Sequence, residues 1–365
     1  MNKTYTENHC LWQQLSKEKR PIFLYGTGNG ADKILNICTN KQIPIEGVFA
    51  SDGFVRSRSF REMPVQSLAA IEAAYGDDFI VLLAFGTTLP EVRENIRKIG
   101  QRHTLLIPEV PLFGGELFDF AYYTKHLPEL EKAYSLFEDA PSKELFEDMV
   151  AFRLTGNPAF LSKVENTFET LQKLLAHKKI CTVLDCGAYT GDSAKLFARA
   201  LHPKEILAAE PDPKTYQKLC RFAQEETACS VLPIHAAISD RDGETEFLSA
   251  GSRASGTGEN MGGRAKRRMK SQTIPCRTID TLTAGNDTVD LIKLDVEGAE
   301  EEALAGASVT LRTQHPTLAV SLYHRTGDLF ALPLMLRDLY PDATFYLRRP
   351  PCIPAWDLTL YVIPE

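Results

Sequence analysis

Two acidic residues and two glycines in the second half of the chain are spaced as in a site for a nucleotide-like ligand. Asp185 ends the apolar run "TVLD" and begins the pattern D-x-G-x-x-x-G, which continues through Gly187 and Gly191 into helical spacing. Glycines let the backbone approach a ligand where a Cβ would collide, and the following helix offers unpaired N–H groups. Glu210 follows 25 residues after Asp185, at the end of the run "LAAE". An acidic residue about twenty positions beyond such a loop commonly binds the ribose hydroxyls of an adenosine.

The carboxylate of Asp185 indicates what kind of ligand this junction binds. Glycines and a helix N-terminus alone suit a pyrophosphate. A carboxylate in the same crevice would repel phosphate but suits an ammonium or a sulfonium group. S-adenosyl-L-methionine carries both groups, together with an adenosine and no phosphate. The sequence therefore predicts this methyl donor as the cofactor.

Three further residues could assist the transfer of a methyl group to a hydroxyl. Asp295 and Glu297 alternate in "KLDVEG", so both carboxylates could point the same way from an extended segment, and His324 follows an apolar run. An alcohol is a weak nucleophile near neutral pH, so a base beside the attacking oxygen helps. The two carboxylates could also bind a divalent cation, although no residue is assigned to a metal here. Alternatively, Glu297 caps the next helix and His324 is structural. Tyr323, the neighbour of His324 in the chain, is expected on the face opposite to His324.

Several motifs identify the second half of the chain as a relative of a known family. "VLDCGAYTGDSA", "AAEPDP", "CRTIDTL" and above all "DLIKLDVEGAEEEALAGA" resemble the FkbM family of S-adenosylmethionine-dependent methyltransferases over about residues 180–365. The resemblance implies a class I methyltransferase fold and methylation of a hydroxyl on a sugar, polysaccharide or natural product. It also implies that Asp295 faces the transferred methyl group and that Glu210 binds the ribose. The donor-binding residues it implies are Asp185, Gly187, Ala188, Gly191, Asp192, Ser193, Glu210, Asp212 and Ala237.

A second glycine-rich junction, "YGTGNGADKIL", lies near the start of the chain. Gly26, Gly28 and Gly30 precede a helical pattern, and Asp52 ends the next strand pattern, roughly where a ribose partner would lie. This is a weak dinucleotide signal, and the segment looks like small Rossmann-like domains fused to sugar-modifying enzymes. It is either a binding module or a structural and oligomerising one. The rival functions for the whole chain are an NAD-dependent oxidoreductase using this loop and a non-catalytic nucleotide-binding or scaffold protein.

Alternating strand and helix patterns predict an α/β fold with two sheets. Residues 1–114 are expected to form a small Rossmann-like domain, residues 115–178 connecting helices, and residues 179–365 the methyltransferase domain. In that last part we expect a doubly wound sheet with an antiparallel edge at its C-terminal end. "VLPIHAAIS" is expected to be its third strand. The Gly- and Ser-rich segment 249–272, with five basic residues between 264 and 270, is either a solvated loop or a lid over an acidic or phosphorylated substrate.

Composition limits the partners. The formal net charge of −7 argues against a nucleic-acid binder. No apolar stretch is long enough to span a membrane, and eight cysteines without a C-x-x-C pair suit a reducing cytoplasm. The expected partner is a small-molecule or saccharide acceptor, and the chain is compatible with a homo-oligomer.

Overall fold

The computed structural model describes residues 1, 4–51, 59–111, 113–249, 256–257, 270–285 and 288–365. Its first sheet has six strands in the order β3-β4-β2-β1-β5-β6, parallel except for β3. The strands are β1 (Ile22–Tyr25), β2 (Gly47–Phe49), β3 (Ser59–Phe60), β4 (Met63–Gln66), β5 (Ile80–Leu83) and β6 (Thr104–Leu106). Every residue of β1 and β5 is buried, as expected for central strands covered on both faces. The accompanying helices are α1 (Leu11–Lys17), α2 (Asn29–Asn40), α3 (Leu68–Tyr75) and α4 (Pro90–Arg102).

Four helices lie between the first and the second sheet along the chain. They are α5 (Phe120–Lys125), α6 (Leu127–Leu136), α7 (Ala140–Thr155) and α8 (Thr167–Leu174). Helix α7 begins where the side chain of Asp139 accepts the N–H of Ser142, and it ends at Gly156, whose φ is +63°. Between these ends the helix is buried on several faces, including the charged residues Glu147 and Arg153. One apolar cluster runs from β1 through α7 to the last strand of the chain, so both sheets share a core.

The second sheet confirms the expected architecture. Its seven strands have the order β16-β17-β15-β14-β7-β8-β9. Strands β7 (Thr182–Cys186), β8 (Glu205–Ala209), β9 (Ser230–Ile234), β14 (Leu291–Leu294) and β15 (Thr317–Ser321) are parallel. Strand β17 (Thr359–Ile363) is antiparallel to β15 and forms a hairpin with β16 (Thr344–Arg348). The helices are α9 (Asp192–Leu201), α10 (Pro213–Glu225), α11 (Ile279–Thr283), α12 (Glu300–Ala305), α13 (Ser308–Gln314) and α14 (Asp328–Leu339).

The prediction of a single third strand in "VLPIHAAIS" was wrong. The N–H of Ala236 bonds to the carbonyl of Ile234 in a tight turn, and this turn takes the chain out of the main sheet after β9. The next two residues, β10 (Ala237–Ile238), join a separate four-stranded sheet of order β10-β13-β11-β12. Its other strands are β11 (Gly243–Ser249), β12 (Gly256–Thr257) and β13 (Lys270–Arg277).

The basic segment predicted to be a loop or a lid lies mostly outside the described residues, at 250–255 and 258–269. Of the helices in the described ranges, none combines the length and the apolar character needed to cross a bilayer.

Candidate active site

A cavity of ≈310 Å³ opens at the carboxyl edge of the seven-stranded sheet. This edge is where open α/β sheets bind ligands, because the loops after the parallel strands diverge there. Strand β17 is reversed and β16 runs in the direction of the parallel strands, so Arg348 at the end of β16 and its partner Thr359 at the start of β17 lie at the same edge. The polar residues on the cavity wall are Glu165, Thr167, Thr170, Tyr189, Asp192, Ser193, Glu210, Lys293, Asp295, Glu297, Tyr323, Arg348, Arg349, Asp357, Thr359 and Tyr361.

The predicted glycine loop forms one side of the cavity. Its glycines were expected to let a ligand approach the backbone, but contacts within the protein also require them. A Cβ on Gly187, whose φ is +82°, would overlap the carbonyl oxygen of Asp295, and a Cβ on Gly191, whose φ is +95°, would overlap the ring of Phe222. Both glycines therefore permit close approach within the protein, rather than only to a ligand. The loop delivers Asp192 and Ser193 to the cavity wall, whereas Ala188 is fully buried.

The expectation that Asp185 presents its charge to the ligand is corrected by its position. Asp185 is fully buried, and it is not among the described residues that line the cavity. Its side chain accepts the hydroxyl of Ser193 at 2.5 Å and lies 3.2 Å from the ammonium of Lys293, its partner in the strand register. Burial opposes the charge on Lys293, but Asp185 and Asp295 outweigh it and raise the pKa of the ammonium. Asp185 thus orients Lys293 and Ser193, which are the groups that reach the cavity.

Glu210 lies on the cavity wall, although its side chain is only 6% exposed. One carboxylate oxygen, Oε1, accepts the N–H of Asp212 and the hydroxyl of Thr215, and Oε2 accepts the N–H of Tyr189 at 2.9 Å. A carboxylate has about four acceptor positions, so about one is left, on Oε2. Burial raises the pKa of Glu210 to about 7, although these three hydrogen bonds favour the ionised form.

Two further predicted donor residues lie beside Glu210. Asp212 caps helix α10 through the N–H groups of Lys214 and Thr215, and it is buried, so its observed contacts are structural. Ala237 lies on the cavity wall between Ala236 and Ile238. Phe247 of the four-stranded sheet adds an aromatic wall that the sequence did not indicate.

Asp295 and Glu297 line the cavity, and the buried side chain of His324 lies behind them. The Nε2 atom of His324 lies 3.5 Å from Oδ1 of Asp295 and 3.5 Å from Oε2 of Glu297. The hydroxyl of Tyr323 donates to Asp295 at 2.8 Å, so the expectation that Tyr323 lies on the opposite face was wrong. Glu297 is also not the cap of the next helix, because α12 begins at Glu300 after the N-cap Ala299.

A buried carboxylate that sequence reasoning missed orients the imidazole of His324. Glu300 is 1% exposed, and its Oε1 accepts from Nδ1 of His324 at 2.8 Å and from the N–H of Val296 at 2.9 Å. Burial disfavours a charged imidazole, but the carboxylates of Glu300, Glu297 and Asp295 outweigh burial and raise the pKa of His324 to about 10. Burial likewise disfavours the Asp295 carboxylate, yet Lys293, His324 and Tyr323 together hold its pKa below the usual value. At neutral pH the structure therefore contains an ionised Asp295 beside a protonated His324.

Three residues on the cavity wall have left-handed backbone conformations although they are not glycine. They are Tyr189 with φ +49°, Glu297 with φ +55° and Asp357 with φ +61°. Such conformations cost of order 1 kcal/mol or more each and tend to cluster at functional sites. Their positions around one cavity mark it as the candidate active site.

The first glycine junction has a packing explanation for two of its three glycines. A Cβ on Gly26, whose φ is +121°, would lie 2.9 Å from the ring of Phe85, and one on Gly30 would overlap the carbonyl oxygen of Ala84. Gly28 faces open space. Among the described residues of this junction, none lies on the wall of the cavity, and Asp52 lies outside the described residues.

Comparisons with known proteins agree with this arrangement. Residues 185–345 match the family model "Methyltransferase FkbM domain". The chain is 27% identical over 193 residues to a protein called 2-O-methyltransferase NoeI of Sinorhizobium fredii, covering 48% of this chain and 77% of that relative. The crystal structure of "Methyltransferase FkbM" from Methylobacillus flagellatus KT superposes with a TM-score of 0.68 at 21% identity, over 94% of this chain and 89% of that one. The two-sheet fold is thus shared along nearly the whole chain, and this chain is a methyltransferase that carries an FkbM domain at residues 185–345.

Proposed function

We propose that this chain transfers the methyl group of S-adenosyl-L-methionine to a hydroxyl group of a sugar, polysaccharide or other natural product. The observation that carries the proposal is the charge of the cavity. Among the described residues, its wall has six carboxyl groups, on Glu165, Asp192, Glu210, Asp295, Glu297 and Asp357, against three cationic side chains, on Lys293, Arg348 and Arg349. A wall with this excess of acid suits a ligand with sulfonium and ammonium groups and disfavours a phosphate-bearing cofactor.

The donor would lie along the cavity with its adenosine at Glu210. The remaining acceptor position on Oε2 of Glu210 suits one ribose hydroxyl, while Ala237 and its neighbours flank the adenine. The methionine end would lie at Gly187, Asp192 and Ser193, the part of the glycine loop that reaches the cavity. This places the sulfonium toward Asp295, which follows the adjacent strand β14.

Asp295 is the group best suited to receive the acceptor's proton. When bound, the donor supplies a methyl group on a sulfonium, and attack by the acceptor oxygen leaves a neutral thioether and releases the hydroxyl proton. Asp295 is ionised, lies on the cavity wall and is oriented by the hydroxyl of Tyr323. His324, which carries a proton at neutral pH, instead stabilises the charge of Asp295. Holding the oxygen and the methyl group in line supplies much of the rate enhancement.

An oxygen acceptor is supported by the name of the NoeI relative, a 2-O-methyltransferase.

We further propose that residues 1–114 form a small domain and residues 115–178 form connecting helices, and that both support residues 179–365. All eight cysteines are free thiols, which supports a reducing, cytoplasmic location.

The test is a titration of the purified chain with S-adenosylhomocysteine, followed by an assay of its formation from the donor with a panel of oligosaccharides and glycosides. We expect micromolar-range binding, and for Asp295→Asn the same binding with at least about 100-fold slower turnover. The exposed Asp338→Asn on α14 is the matched control and should behave as wild type. Failure of the wild-type chain to bind S-adenosylhomocysteine, or binding of NAD in its place, would overturn the proposal.

A further inference from the structure

Behind the cavity wall lies a buried imidazole nitrogen that makes no hydrogen bond to any described residue. This atom is Nε2 of His324, a side chain that is 1% exposed. It points between the carboxylates of Asp295 and Glu297, at 3.5 Å from an oxygen of each. A buried polar atom without a hydrogen bond is rare in a folded protein and calls for a ligand or another specific reason.

The hydrogen bond of the other imidazole nitrogen, Nδ1, determines that Nε2 is the atom that can bind a metal ion. Nδ1 of His324 lies 2.8 Å from the buried carboxylate of Glu300, and an ionised carboxylate can only accept a hydrogen bond. Nδ1 therefore carries a proton. Without a bound cation Nε2 carries one as well, and a cation at this position would take the place of that proton and bind the lone pair of Nε2. A carboxylate that fixes the tautomer in this way is the usual partner of a histidine that binds a metal ion.

We propose that Asp295, Glu297 and His324 bind a divalent cation, with Glu300 as the positioning residue for the imidazole. Metal–ligand bonds of about 2.1 Å at angles of about 90–110° place ligand atoms roughly 3.0–3.5 Å apart. The two separations of 3.5 Å around Nε2 fit this range. The mixture of two carboxylates and one imidazole suits Mn²⁺ or a similar first-row ion better than Mg²⁺.

The local charge favours a cation at this position. The carboxylates of Asp185, Asp295, Glu297 and Glu300 lie in one cluster, and the ammonium of Lys293 approaches Asp295 at its other oxygen, Oδ2. The remaining coordination positions of the cation would face the cavity, because Asp295 and Glu297 line it. A hydroxyl bound there would lose its proton more readily. That role rests on the proposed methyl transfer, whereas the binding itself does not.

The test uses the full chain after treatment with EDTA and dialysis, titrated with Mn²⁺ alone while electron paramagnetic resonance follows the free ion. We expect about one Mn²⁺ per chain, with affinity at least about 10-fold lower for both His324→Gln and Glu297→Gln. Glu297 is one-third exposed, so its variant should fold even if the change at the buried histidine does not. The control is Glu301→Gln, an exposed carboxylate in the first turn of α12, which should bind Mn²⁺ as wild type does.

Two outcomes would overturn the cation site. One is absence of binding to the wild type at millimolar Mn²⁺, and the other is equal affinity in Glu297→Gln and wild type. A titration of the same EDTA-treated protein with S-adenosylhomocysteine separates the two proposals. Binding of the nucleoside without Mn²⁺ binding would remove only the cation site, and the reverse result would remove only the methyl-donor site. Thermal unfolding gives a second readout, since Mn²⁺ should raise Tm in the wild type and not in Glu297→Gln.

Discussion

Gly187 lies so close to Asp295 that a Cβ on the glycine would overlap the carbonyl oxygen of the aspartate. The two residues follow the neighbouring strands β7 and β14, and the N–H of Asp295 bonds to the carbonyl of Cys186. The loop proposed to bind the donor and the residue proposed to face the methyl group are therefore held together by backbone contact. A change in one of these loops must move the other.

Gly187→Ala should consequently damage both stability and donor binding. The new methyl group meets backbone atoms that cannot rotate away, and the φ of +82° is itself unfavourable for alanine. We expect a loss of about 3 kcal/mol or more in the free energy of unfolding, measured by urea denaturation. The control is Gly100→Ala in helix α4, where the nearest contact is an ordinary 3.6 Å and helix propensity favours alanine. Equal stability of Gly187→Ala and wild type would show that the two loops are not packed as described.

Tyr323→Phe isolates the hydrogen bond to Asp295. The ring stays the same size, so the fold should be retained, but the carboxylate loses the donor that helps to hold its pKa low and its orientation fixed. We expect kcat to fall about 10- to 100-fold, with S-adenosylhomocysteine affinity changed less than about 3-fold. Single-turnover methylation and calorimetric titration measure the two quantities. A large loss of affinity with unchanged kcat would place Tyr323 in donor binding instead.

The raised pKa of Glu210 predicts a pH dependence of stability. The folded-state pKa of about 7 exceeds the ordinary value of 4.5, so the folded chain favours the protonated acid. Its contribution to stability is complete below about pH 4.5 and is lost as the pH rises through about 7, by roughly 3 kcal/mol at most. Glu210→Gln should remove this contribution, so that the variant loses less stability than wild type between pH 5 and about 8. Denaturation with urea at four pH values in this window measures the difference.

The ionisation of Glu210 has the opposite effect on donor binding: affinity is expected to rise with pH, whereas stability falls. A ribose hydroxyl donates to an ionised carboxylate, so S-adenosylhomocysteine affinity should rise as the pH increases through about 7. Glu210→Gln should bind more weakly and lose most of this rise. An equal pH dependence of affinity in variant and wild type would argue against contact between Glu210 and the ribose.

The close contact between Gly86, which follows the first sheet's strand β5, and Trp356 links that sheet to the cavity. A Cβ on Gly86 would overlap the ring of Trp356, which adjoins the cavity residue Asp357, and Thr87 is hydrogen-bonded to the backbone of Ile353. We expect Gly86→Ala to lower the free energy of unfolding by about 1–3 kcal/mol. In a Trp356→Ala background the same change should cost much less, because the clash is absent. Gly28→Ala, which meets open space, is the control; additive losses in the double variant would mean that the two residues do not interact.

Local pattern was sufficient for the elements and for many residues of the candidate site. The buried run before Asp185, the glycines after it and Glu210 at the end of the next strand all lie within one strand–helix–strand unit. Short sequence separation and parallel pairing bring such residues to the same sheet edge with little freedom. Asp295 and Glu297 follow the neighbouring strand for the same reason. The tight turn at Ala236 depends on a single backbone hydrogen bond, which apolar periodicity does not reveal, so the pattern of "VLPIHAAIS" predicts one strand where the structure has two.

By itself, the sequence determined the α/β architecture, the sheet edge that carries the site and the acids at its strand ends, because these follow from periodicity and connection length. Only the tertiary structure decided what each acid faces. Because the strand register pairs Asp185 with Lys293, Asp185 forms a buried ion pair instead of the predicted contact with the ligand. The tertiary fold brings Glu300 at the start of α12 and His324 after β15, 24 residues apart, within 2.8 Å. Charges and free lone pairs depend on such long-range contacts, whose geometry is set by the whole core rather than by any local segment.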